Sequence, residues 1–191
     1  MARPKEFDDN DKLLIARNLF WEKGYNNTSL NDLIDKLKIN KSSFYNTFGS
    51  KHELFLNCLN NYLQEKEIEY HNILNSEADP ILAIENALEY VLNAVTLETK
   101  TCLSVNSTFE LARIDEQVNA LLKEHTLTRI KMFESLLIQA KKNRQINMDQ
   151  DPKALAHYIV AAITSLWSTH LTFSDQELTR QIKQIIVGIL K

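Results

Sequence analysis

The sequence predicts an all-α protein of about nine helices, on three observations. Only 3 Gly stand among 191 residues, too few for the hairpins and bulges of β-rich folds. Apolar residues recur at helical spacing nearly from end to end. Capping residues stand where each periodic run begins. With 44% hydrophobic and 25% charged residues the composition is globular, and the length suffices for a core without covalent staples.

The first helix spans Asp9 to Lys23, with Leu13, Ala16, Leu19 and Phe20 on one face and Gly24 as the left-handed residue after it. Ser29 and Asp32 form a capping box that opens a second, short helix ending near Lys36. Asn40 caps a third, Lys41 to Thr47, and Gly49 stops it. Ser50 with Glu53 opens a long fourth helix to about Leu74. Further helices are expected near Pro80–Leu97, Cys102–Arg113, Asp115–Lys142, Pro152–Leu171 and Ser174–Leu190. Pro80 and Pro152 suit a first helical turn, after Asp79 and Asp151 as N-caps.

Short helices give way to long apolar ones near Ser50. The expected division is residues 1–53 as one unit and 54–191 as the other. Net charge is −3 and pI about 6.0, which excludes a basic footprint over the whole chain. Residues 36–51 nevertheless hold four lysines and no acid. Residues 1–53 carry nine basic and eight acidic side chains, while the remainder is net acidic. Short helix, turn, short helix is a helix-turn-helix layout, whose second helix can enter the major groove of DNA. Phe44 and Phe48 give that helix one apolar stripe; Lys41, Ser42, Ser43, Tyr45, Asn46 and Thr47 are left to face outward. Asn46 can read adenine, and Lys41 guanine or phosphate. Read without its surroundings, this face is equally an ordinary solvated one.

Gly24-Tyr25, Thr28-Ser29, Asp32-Leu33-Ile34, the run Ile39 to Tyr45, Phe48-Gly49-Ser50-Lys51 and Leu54 together resemble the N-terminal domain of the tetracycline-repressor (TetR/AcrR) family of transcriptional regulators. The resemblance covers about residues 9–60, and the whole-chain helix order is also similar. It implies that Thr28 and Ser29 contact phosphate at a helix N-terminus, which favours anions. It implies that Lys41, Ser42, Ser43, Tyr45 and Asn46 face bases and backbone, and that Lys51 clamps phosphate. Lys38, Asn40 and Thr47 complete the candidate DNA-contacting set. Two departures stand out. Lys38 occupies the turn position where the family usually has Gly, at a cost of roughly 1 kcal/mol if left-handed. Asn46-Thr47 replaces a common His-His, which alters the bases read rather than the docking mode.

Residues 54–191 carry no HExxH, GxSxG, GxGxxG or CxxC motif. Cys58 and Cys102 read as reduced, buried thiols, and His71, His125, His157 and His170 as scattered surface or core-edge residues rather than metal ligands. Leu155, Ile159, Ala162, Ile163 and Leu166, with Leu178, Ile182, Ile185, Ile186 and Ile189, form two stripes that suit a homodimeric four-helix bundle, as the resemblance also implies. Packing on the chain's own core is the alternative. Tyr90, Cys102, Asn106, Phe109, Glu110 and Trp167 are candidates for a ligand pocket, or for plain core packing. No apolar h-region opens the chain, and the tract Ala154 to Trp167 is too short and too interrupted to span a bilayer. The expectation is a cytoplasmic, homodimeric repressor of double-stranded operator DNA, with a small-molecule effector, no cofactor, no metal and no membrane partner. A constitutive DNA-binding protein and a helical-bundle enzyme remain as alternatives; carboxylates and histidines paired at i, i+3, the mark of the latter, do not occur on the expected bundle helices.

Overall fold

The computed structural model describes residues 9–97 and 101–190. Among the described residues there are nine helices and no strand: α1 (Asp9–Lys23), α2 (Leu30–Leu37), α3 (Lys41–Phe48), α4 (Lys51–Leu74), α5 (Pro80–Leu97), α6 (Leu103–Glu110), α7 (Glu116–Lys142), α8 (Pro152–Phe173) and α9 (Gln176–Leu190). The caps read from sequence close as expected. Ser29, Asn40 and Ser50 each accept a backbone N–H three residues on, and Asp79 accepts those of Ile81 and Leu82. Those amides hold the Asp79 carboxyl below the usual range, first that of Leu82.

Helix α6 is shorter than its periodicity suggested. After Glu110 the chain turns back on itself, and the amides of Ile114 and Asp115 both bond to the Leu111 carbonyl. The turn buries Leu111 and sets Asp115 at the start of α7, where its carboxylate accepts from the amides of Gln117 and Val118.

Two apolar cores result. The first joins Ala16 and Phe20 of α1, Leu33 and Leu37 of α2, Phe44 and Phe48 of α3, and Phe55, Leu59 and Leu63 of α4. Leu103, Leu111, Val118 and Leu122, from the segment around α6 and α7, complete it. The second begins at Tyr70 and gathers the inner faces of α5, α7, α8 and α9. The two meet within α4, between Leu63 and Tyr70. Each fully buried large side chain stabilises the fold by about 1.5–3 kcal/mol.

The expected dimer stripe of α8 packs elsewhere. Leu155, Ile159, Ala162, Ile163 and Leu166 are buried in the chain's own second core, and so is Ile186 of α9. The periodicity was that of the core-facing side. What α8 leaves exposed is the opposite strip, Ala154, Tyr158, Ala161, Ser165 and Ser168. On α9, Leu178 and Ile182 are half-buried, while Ile185 and Ile189 are 60% and 40% exposed.

Candidate nucleic-acid interface and cavity

Helix α3 is too short to be held by more than one face. Phe44 and Phe48 are buried with their rings 5.6 Å apart, and this anchor turns the rest of the helix to solvent. Lys41, Ser42, Tyr45 and Asn46 are exposed, and Ser43 and Thr47 are half-exposed. Asn40 caps the helix with its side-chain oxygen at 2.8 Å from the Ser43 nitrogen, leaving its NH₂ to the outside.

The α2–α3 turn is fixed by a left-handed residue. Lys38 has φ 53° and ψ 48°, its N–H reaches the Asp35 carbonyl, and Ile39 donates back to Ile34. That is a Schellman closure with lysine where glycine is cheapest. Lys38 is exposed, three positions before α3 begins. Helix α2 is locked at both ends. Lys12 donates to the Leu37 carbonyl at 2.6 Å. At the other end Lys23 donates to Asp32 at 2.7 Å, and Asp32 also accepts from the Ser29 amide and hydroxyl. Lys23 first, then Ser29, holds the Asp32 carboxyl far below the usual range.

One candidate phosphate contact is not at the surface. Thr28 is fully buried and its hydroxyl donates to the Gly24 carbonyl at 2.6 Å, closing the α1–α2 turn. Ser29, next to it, is exposed at the start of α2. Lys51 is half-buried, its ammonium 4.2 Å from the centre of the Tyr25 ring. Burial lowers its pKa, against the pull of Glu110 and Asp32.

Glu110, expected in a pocket, serves the α1–α2 turn instead. From the C-terminal end of α6 its carboxylate accepts from the backbone amides of Tyr25, at 3.1 Å, and Asn26, at 2.7 Å. Gly24 makes room for it: a Cβ there would lie 3.1 Å from a Glu110 oxygen, and φ is +78°. A second link runs beside it, His52 of α4 to Asp115 at 2.7 Å. Burial pushes the Asp115 carboxyl up, but the Val118 amide and His52 outweigh it and hold it below the usual range.

Between α4, α5, α6, α7 and α8 lies a cavity of about 340 Å³. Of the expected pocket residues, Tyr90, Cys102 and Trp167 line it. Asn106 and Phe109 do not; they border a separate shallow recess on the far side of Trp167, where Phe109 is 72% exposed. The α6 face toward the cavity is Ser104, Val105 and Thr108 instead. Sequence reasoning missed Tyr62, Lys66 and Tyr70, which stand four apart on α4, and Thr126, Arg129 and Ile130 on α7. The four-residue spacing on α4 was the available signal. Lys66 donates to Glu69 at 2.9 Å and to the Tyr90 hydroxyl at 2.8 Å, and the Tyr90 hydroxyl donates to Glu69. Burial opposes the Lys66 charge, yet these two partners raise its pKa above the usual lysine value. Tyr62 donates to the Cys102 sulfur at 3.3 Å. Cys102 is half-buried rather than buried; Cys58 is fully buried in the first core, and burial pushes its thiol up to about 12.

The segment that carries α1 to α3 matches a known family. The profile described as bacterial regulatory proteins, tetR family, matches residues 13–58. The HTH-type transcriptional regulator YezE of Bacillus subtilis is 32% identical over 193 residues, spanning 100% of both chains. The chain belongs to the tetR family. It is accordingly a helix-turn-helix transcriptional regulator. The HTH-type transcriptional repressor DhaR of a Mycobacterium species is 24% identical over 75% of this chain and 72% of its own. In fold, the chain matches the TetR family regulator CifR, a cysteine mutant in complex with 26-base-pair double-strand operator DNA, at TM-score 0.86 and 21% identity over 100% of both chains. No described helix of this tetR-family chain is long and apolar enough to cross a membrane, and no group of three metal-binding side chains occurs among the described residues.

Proposed function

We propose that the protein is a homodimeric repressor, that residues 1–53 bind a near-palindromic operator, and that residues 54–191 dimerise and bind a small-molecule effector, with no catalytic turnover. The observation that carries the DNA-binding reading is the outward face of α3, with Lys41, Ser42, Tyr45 and Asn46 exposed above two buried rings. Lys38, Asn40, Ser29 and Lys51 flank it for phosphate contact, with Ser43 and Thr47 at its edge; Thr28 supports the turn from inside. The cavity favours a regulated repressor over a constitutive one, because a filled second core would leave an effector nowhere to bind.

Dimerisation is assigned to the exposed side of α8 and α9. Ala154, Ala161, Ser165 and Ser168 are small enough for close helix approach, and Ile185 and Ile189 supply apolar area next to them. Effector binding acts by linkage: a ligand that prefers the arrangement with misplaced α3 helices lowers operator affinity by the same factor that DNA lowers its own.

The test is selection of bound genomic fragments followed by footprinting. The expected result is an inverted repeat whose half-sites lie about 34–36 Å apart, or a multiple of that. A protein that binds only single-copy half-sites, or that sediments as a monomer, would refute the dimeric reading. Ser165→Glu and Ile185→Glu should give a folded monomer with weakened operator binding.

A further inference from the structure

The cavity's charges do not balance. Its lining holds Lys66, Arg129 and His157, and no Asp or Glu. The Lys66 charge is matched by Glu69, which stands outside the lining. Arg129 is not matched. It is half-buried on α7 and its guanidinium lies 5.0 Å from the centre of the Tyr70 ring, its one contact of any polar kind with a described residue. Glu67, across a narrow crevice that Arg129 also borders, is held by His125 at 2.9 Å. A guanidinium is donor-only, with five N–H groups, and a partly desolvated one without an acceptor is costly.

A second donor is left over on the same wall. Tyr70 is 5% exposed and lines the cavity, and its hydroxyl has no hydrogen bond with a described residue. Burial pushes that hydroxyl up to about 12, so it keeps its proton and can donate. Two unfilled donors on residues that line a space without a carboxylate call for an acceptor that the chain does not provide.

We infer that the effector is a small organic monoanion: one carboxylate, taken by Arg129 and the Tyr70 hydroxyl, on an apolar or aromatic body. This rests on the effector reading given above and names its ligand class. His157 is exposed to solvent, so Arg129 is the one partly buried cation left unmatched, which suits a single negative charge; a dianion would need a second. The rest of the wall, with Leu63, Val91, Val105, Ile130, Val160 and Trp167, is apolar, and about 340 Å³ holds a body of one or two rings or a short chain. A cationic ligand meets like charge in a low-dielectric space and is rejected.

Calorimetric titration of the full-length protein with two matched series tests this: cinnamate, cinnamamide and cinnamylamine, then octanoate, octanamide and octylamine. In at least one series the acid should bind about tenfold or more tighter than the amide, as expected for a charge-assisted bond, and the amine should not bind. Arg129→Gln should bring the acid down to the amide's affinity, Arg129→Lys should keep part of the preference, and Tyr70→Phe should cost the acid more than the amide. Thermal melting checks that each variant is folded. An amide that equals its acid in both series, a preference that survives Arg129→Gln in folded protein, or no acid bound at millimolar concentration overturns the inference. Fluorescence anisotropy on the footprinted operator separates this from the wider reading. Selective acid binding that leaves DNA affinity unchanged sinks the effector role and keeps the anion site. Release by amide as effective as release by acid keeps the effector role and sinks the anion site.

Discussion

The core beneath α3 and the core beneath the cavity are built to different standards of filling. In the first, Phe20, Phe44, Phe55 and Leu59 are buried to within 1% exposure; the rings of Phe20 and Phe55 meet edge to face and those of Phe44 and Phe48 pack on one another. In the second, Tyr70, Tyr90 and Trp167 line open space, which reaches Tyr62 and Leu63 at the edge of the first. A filled core admits one arrangement of its helices, which a base-reading surface requires. An unfilled one forgoes dispersion contacts that a ligand can restore, so its stability depends on what is bound. Between them α6 carries cavity residues on one side and, at its end, the Glu110 grip on the α1–α2 turn.

Truncation breaks this comparison most sharply. Phe44→Ala should cost about 3–5 kcal/mol in chemical denaturation, since α3 loses its main anchor. A loss below about 1 kcal/mol would mean that the first core tolerates voids as the second does. Enlargement sharpens it. Ala16→Leu, at a fully buried position, should destabilise by about 1–3 kcal/mol. Ala94→Leu, on the cavity wall, should cost less than about 1 kcal/mol and weaken ligand binding. Equal costs at the two sites would erase the distinction.

At the surface of the filled unit, Asn46→Ala or Lys41→Ala should lose about 1–3 kcal/mol for each base contact removed, at particular operator positions. Loss spread evenly over all base pairs would reassign both residues to backbone positioning. Lys51→Ala should weaken all sequences alike and flatten the slope of log K against log salt by about 2 for the dimer. The smallest effect belongs to the His52–Asp115 contact. The Asp115 carboxyl is held below its ordinary value in the folded chain, so the unfolded chain binds its proton more readily. Its contribution is complete above about pH 4 and is lost as pH falls further. Acid titration of Asp115→Asn, followed by circular dichroism, should show a shallower fall in stability below that pH.

The helix order was legible because caps and periodicity are local: Ser29, Asn40, Ser50 and Asp79 announce their helices within three residues. The anchoring of α3 was legible for the same reason, since Phe44 and Phe48 are one turn apart. Periodicity does not say which partner a stripe meets. Leu155, Ile159 and Ile163 could serve a dimer or the chain's own core, and the fold chose the core because α5 and α7 cover that side first. Half of the expected pocket was legible: Tyr90, Cys102 and Trp167 line the cavity, whereas its wall on α4 and α7 went unread because an absence of atoms leaves no residue type behind. Glu110 was drawn toward the ligand by its neighbours in the chain, whereas its partners lie 84 and 85 positions away. Thr28 was misread through its helix-start position; only the fold shows its hydroxyl turned inward to Gly24.

The Glu110 grip has a bearing on how such a protein diversifies. Its carboxylate holds main-chain amides, and every residue but proline offers one. The attachment is therefore blind to the side chains of Tyr25 and Asn26 and to everything on α3. Of its surroundings it constrains the Gly24 position, where a Cβ would crowd the carboxylate. The outward residues of α3 can be exchanged for another reading set while the attachment to α6 stays as it is. A new operator preference can thus arise by a handful of substitutions between Lys41 and Thr47 without disturbing the attachment to α6.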